Sequence, residues 1–122
     1  MGYVTAAMAY GALDPALSTP AMAEARVFDR VTKRLKAAFS DDSGGIAARI
    51  AALHDNRRLW LAAAGDIAGD GNGLPEGLRV QLLGLAGFVD RHTSAVLDGR
   101  GEAEVLIEIN SRISSGLSEA GA

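Results

Sequence analysis

The chain contains no cysteine. Disulfides, thiolate metal sites and cysteine nucleophiles are therefore excluded at once. Positive charge is in short supply: 12 Lys and Arg stand against 15 Asp and Glu, giving a net charge of -3 and a pI near 5.3. Such a balance speaks against direct DNA binding, which rests on neutralising phosphates with a basic surface. A long apolar run is also missing. The segment from Met1 to Ala25 is apolar and free of Lys and Arg, but Asp14, Pro15 and Pro20 interrupt it well short of the ~18 apolar residues a membrane span needs. It has no basic n-region, so it does not read as a signal peptide. The expectation is a cytoplasmic, soluble protein without membrane insertion, for which Met8 is an alternative start. Aromatic residues are few, at 5%, with a single tryptophan.

What is present is a composition of 48% apolar and 22% charged residues over 122 positions, ordinary for one globular domain with one core. The three prolines, Pro15, Pro20 and Pro75, all sit where a helix would begin, a position at which a missing N–H does no harm. Asp14 and Thr19 precede two of them as N-cap candidates. Phe28, Val31, Leu35 and Phe39 recur at helical spacing between Thr19 and Ser40. The polar break from Ser40 to Gly45 leads into a second helix over about Ile46 to Ala68, with Ile46, Ile50, Leu53, Trp60, Ala64 and Ile67 turned inward. Gly69-Asp70-Gly71-Asn72-Gly73 breaks it. In a third helix Leu78, Leu82, Leu85, Val89, His92 and Val96 follow steps of four and three, a heptad-like seam. Asp98-Gly99-Arg100-Gly101 closes that helix, and a fourth runs from Glu102 to about Leu117. The fold class expected is all-α: a small bundle of three to four main helices over residues 19–118, with an N-terminal arm over residues 1–18 that is flexible or short-helical.

Two asparagines fall on apolar helix faces. Leu53, Asn56, Trp60, Ala63 and Ile67 line one face; Leu106, Asn110, Ile113 and Leu117 line another. A buried amide without a partner costs roughly 1–3 kcal/mol. Each asparagine must therefore be satisfied inside the fold or reserved for something that binds.

Known chemistries find no footing. Asp70 and Asn72 fit the first and third positions of a calcium loop, but Leu74, Pro75 and Gln81 occupy positions that need an oxygen ligand, a glycine and a glutamate. His54 and His92 lie in different helices without a ligand pattern, and no serine sits in a nucleophile elbow. Gly84 and Gly87 fall mid-helix, where they permit close packing or weaken the helix. No enzymatic activity, cofactor or metal is expected. The stripe Arg26, Arg30, Lys33 and Arg34 reads first as a solvated helix face and second as a contact for RNA or an acidic partner.

The ordered set Asn56-Arg57-Arg58-Leu59-Trp60, Asp66-Ile67-Ala68, Asn72-Gly73-Leu74-Pro75, Leu78-Arg79, Arg91-His92-Thr93-Ser94-Ala95-Val96-Leu97, Leu106-Ile107-Glu108-Ile109-Asn110 and Gly116-Leu117 resembles the FlaF family of flagellar biosynthesis regulators from alphaproteobacteria. The resemblance spans about residues 20 to 117, with Phe88 standing where a tryptophan is expected. It implies a cytoplasmic protein that binds flagellin and supports its synthesis and type III export as a secretion chaperone. It also implies action alongside FlbT, a repressor of flagellin translation.

An apolar groove in the bundle suits an amphipathic helix docking at i, i+3, i+4 and i+7. The residues expected at such a groove are Asn56, Leu59, Trp60, Leu85, Val89, His92 and Asn110. The alternative is a regulator of flagellin mRNA, acting on RNA or on FlbT through Arg26, Arg30, Lys33 and Arg34 together with Arg57 and Arg58. A third reading is a homodimer formed on the heptad seam.

Overall fold

The computed structural model describes residues 20–40, 45–69 and 73–121. The expected N-terminal arm lies outside the described residues. Four helices follow one another: α1 (Pro20–Ser40), α2 (Gly45–Ala68), α3 (Glu76–Leu97) and α4 (Ala103–Gly121). No strand occurs among the described residues, and none of their helices is long and apolar enough to cross a membrane. The protein is all-α, as the apolar periodicity predicts. The fourth helix runs one turn further than expected, through Ser118-Glu119-Ala120.

Three sets of contacts fix the topology. Arg49 donates to the Ala38 carbonyl, Arg34 pairs with Asp55, and the Phe28 ring meets Trp60 edge-on with centroids 5.5 Å apart, so α1 and α2 run antiparallel. Arg79 donates to the Ile67 carbonyl at 3.1 Å, and Arg57 to the Asp90 carbonyl at 3.0 Å, which sets α3 antiparallel to α2. His92 Nε2 donates to the Glu102 carbonyl at 2.8 Å across the α3–α4 turn. Helix α1 packs most extensively on α4, whereas α3 touches α4 only lightly. The result is an up-down-up-down bundle in which α2 and α4 face each other across the diagonal.

The core draws Phe28, Val31 and Leu35 from α1, Leu53, Leu59 and Trp60 from α2, Ala86 and Val89 from α3, and Leu106 from α4. Two expectations about orientation need correction. Ile46 and Ile50 are 75% and 38% exposed, not inward. The register set by Arg57 and Asp90 brings the end of α3 level with Ile50, so α2 continues past α3 and its first turn is not covered by that helix. The heptad-like seam of α3 is likewise only partly buried: Val89 is enclosed, Leu82, Leu85, His92 and Val96 are half-buried, and Leu78 is 41% exposed. The line truly turned to the core is Ala86, Val89 and Thr93. The seam itself lies on the flank towards α4, where contact is slight.

The turn between α3 and α4 is built on glycine. Gly99 adopts φ +76°; its N–H reaches the Val96 carbonyl, and the Arg100 N–H reaches that of Ala95, a Schellman closure that a left-handed residue makes cheaply. At Gly101 a Cβ would fall 3.0 Å from His92 Cε1 and 3.2 Å from the Ala95 Cβ. Gly101→Val is therefore expected to destabilise the fold by about 1–3 kcal/mol through overpacking. By contrast, a Cβ on Gly84 would meet nothing within 4 Å, so Gly84→Ala is expected to add about 0.5–1 kcal/mol by helix propensity. Urea denaturation followed by circular dichroism checks both.

Candidate functional site

The two asparagines meet in the middle of the bundle. Asn56 on α2 and Asn110 on α4 are both fully buried. The Asn110 amide donates to Asn56 Oδ1 at 2.6 Å, and Trp60 Nε1 donates to Asn110 Oδ1 at 2.8 Å. This chain of two bonds joins α2 and α4 across the diagonal, where their backbones do not touch. One donor is left over: Asn56 Nδ2 is enclosed without a partner. The alternative posed by the sequence, satisfaction inside the fold or reservation for a ligand, resolves mostly toward the fold. The network locks Trp60 in place.

Trp60 turns one edge to this network and also forms part of a surface groove between α2 and α3. The groove holds about 290 Å³ and is lined by Arg57, Trp60, Leu61, Ala64, Leu83, Ala86, Gly87, Val89 and Asp90. Its walls are apolar apart from one end. There Arg57, with its side chain 21% exposed, places Nε 3.0 Å from Asp90 Oδ1 and donates from Nη2 to the Asp90 carbonyl at 3.0 Å and to Ser94 Oγ at 2.7 Å. Leu61 beside it is 56% exposed, and Val80, one turn before Leu83, is 63% exposed. Leu61 and Val80 thus add exposed apolar surface beside the trough. Because Arg57 clasps α3 through three contacts, Arg57→Ala is expected to cost about 1–2 kcal/mol, which thermal denaturation reads directly.

A model of the family described as flagellar protein FlaF matches residues 6–117. The chain belongs to the FlaF family. No curated protein and no solved structure matches it. The FlaF match begins at residue 6, so it takes in residues ahead of the first described helix as well as the bundle.

In this FlaF bundle the residues singled out from sequence fall into three places. Asn56 and Asn110 form the buried network with Trp60, and Leu59 is a buried core residue of α2. Trp60 and Val89 line the α2–α3 groove. Leu85 and His92 do not: they sit on the flank of α3 nearer α4, where His92 is held by the Glu102 carbonyl and stacks on Phe88 at 5.4 Å. The groove expected beside Trp60, Leu85, Val89 and His92 is thus displaced to the other side of α3, because the core line of that helix is Ala86, Val89 and Thr93.

The arginine stripe is divided too. Arg26, Arg30, Lys33 and Arg34 all lie exposed on α1, but Lys33 pairs with Asp29 at 2.9 Å and Arg34 with Asp55 at 3.4 Å. Arg58 shares Asp55 at 4.0 Å. Arg57 does not join the stripe, being turned to α3. The groove residues that the sequence reading did not assign to a groove are Arg57, Leu61, Ala64, Leu83, Ala86, Gly87 and Asp90. Their one available signal was width: the apolar arc of α2, from Trp60 round to Leu61 and Ala64, is broader than a single buried stripe needs.

Proposed function

We propose that this FlaF-family protein is a cytoplasmic, non-enzymatic chaperone that binds flagellin and supports its synthesis and export. One observation carries the reading: an apolar groove flanked by exposed Leu61 and Val80, on a rigid bundle, in a chain of a flagellar family. A flagellin segment that folds as an amphipathic helix and would otherwise aggregate can lay its apolar face in such a groove. The bundle supplies a preformed floor, since Trp60 is fixed from behind by Asn110, which lowers the ordering cost of binding.

The test is co-purification and calorimetry with the host's flagellin at low and high salt. A one-to-one complex whose affinity changes by less than about tenfold between about 50 and 200 mM salt supports the chaperone reading. The second reading is regulation of flagellin translation through the mRNA or through FlbT, using Arg26 and Arg30, the members of the stripe that retain no acidic partner among the described residues. Contact with about 6–10 phosphates would instead weaken binding by about 10³–10⁵ over that salt range.

A further inference from the structure

We propose that the α2–α3 groove selects its helix by charge as well as by apolar fit: the guanidinium groups of Arg57 and Arg91 receive a carboxylate carried by the docking helix about two turns from its first apolar anchor. The inference rests on the reading above only in placing a helix in this groove.

Three observations lead there. The groove is polar at one end and apolar along the rest. From Leu83 to Asp90 it spans two turns of α3, about 10 Å, with Ala64 and Leu83 at the apolar end and Arg57 and Asp90 at the other. Asp90 is the single carboxylate among the lining residues, and it is already engaged by Arg57 at 3.0 Å. Lastly, Arg91 folds back over the groove wall. Its Nη1 lies 3.3 Å from where a Cβ on Gly87 would be, so the guanidinium rests against the wall at Gly87. Arg91 is exposed and has no acidic partner among the described residues.

Arg91 is not itself a lining residue but rests against the lining residue Gly87, so with Arg57 two guanidinium groups stand beside a groove whose lining holds one carboxylate. A docked helix would strip water from Arg91 and strengthen any ion pair made there, because charges interact more strongly as the local dielectric falls. A helix with apolar residues at i, i+3 and i+4 reaches the charged end at i+7. Glutamate at that position meets both arginines, with the planar fork of Arg91 free to bind it side-on. Lysine at the same position would be repelled.

The experiment uses the full chain and synthetic amphipathic helical peptides with leucine at i, i+3 and i+4 and either glutamate or glutamine at i+7, titrated at low salt. The glutamate peptide is expected to bind about five- to tenfold more tightly. In Arg91→Ala that advantage falls to within about twofold, while the glutamine peptide binds as before, which shows that the variant is folded. Equal affinity for the two peptides, an advantage that survives unchanged in Arg91→Ala, or no binding of either peptide each overturns the proposal. Flagellin in the same assay separates the two claims. If flagellin binds but the peptides are not distinguished, the charge selection fails and the chaperone reading stands. Peptide discrimination without flagellin binding would have the reverse meaning.

Discussion

Replacing Asn110 by leucine is expected to destabilise the protein by about 2–5 kcal/mol, whereas the same change at Asn56 costs at most about 1 kcal/mol. The difference follows from counting unmet groups. Within the Asn56–Asn110–Trp60 network one buried donor, Asn56 Nδ2, is without a partner. Removing the Asn110 amide also strands Trp60 Nε1 and Asn56 Oδ1, its two partners, so the count rises from one to three. Removing the Asn56 amide deletes the existing orphan and leaves Asn110 Nδ2 in its place, so the count stays at one. Leucine has the same branched heavy-atom skeleton as asparagine, so neither change opens a cavity and the comparison rests on the unmet polar groups. Against a total stability of about 5–15 kcal/mol for a domain of this kind, the Asn110 variant would lose a large share. Urea titrations of the two single variants and the double variant measure this directly, and the double should be less unstable than the sum of the singles. Equal losses at the two positions would mean that the hydrogen-bond chain is not the link that joins α2 to α4.

The second large effect concerns binding. Leu61→Glu is expected to weaken flagellin binding by at least about tenfold while changing stability by no more than about 0.5 kcal/mol. Leu61 is 56% exposed, so a charge there stays hydrated in the free protein. On docking it must be buried against an apolar helix, where an unpaired carboxylate is costly. Leu59, two residues earlier on α2 but 8% exposed, serves as the contrast: Leu59→Ala lowers stability by about 2–4 kcal/mol and reaches binding only through the fold. Calorimetry for affinity and urea denaturation for stability, carried out on both variants, separate surface from core.

The helices themselves were legible because their punctuation is strong. Pro20 and Pro75 open α1 and α3, and Gly99 closes α3 with the positive φ its position predicts. The asparagine faces were legible for the same reason: helical spacing puts Asn56 with Trp60 and Ile67, and all three are buried. Periodicity states which residues share a face; it does not state which neighbour covers that face. Ile46 and Ile50 continue the apolar arc of α2, yet Ile46 outruns α3, Ile50 lies level with its end, and both stay exposed. His92 keeps heptad register, yet it lies on the flank that α4 touches only lightly. The groove was the hardest part to read, since Leu61, Ala64 and Ala86 are ordinary core residue types, and only the register between α2 and α3 leaves a trough between them. The partnership of Asn56 with Asn110, 54 positions apart in the chain, likewise depends on tertiary packing that no local pattern encodes.

The most direct measurement is a two-dimensional nitrogen–proton spectrum of the isotope-labelled protein, recorded while unlabelled flagellin is added. The chain has one tryptophan, so one indole cross-peak reports on Trp60, which lines the groove and bonds Asn110. The result expected is a shift or loss of that peak that saturates at one equivalent of flagellin and is absent with Leu61→Glu. An indole peak that stays in place while flagellin binds elsewhere, or while no complex forms, would contradict the assignment of the α2–α3 groove as the flagellin site.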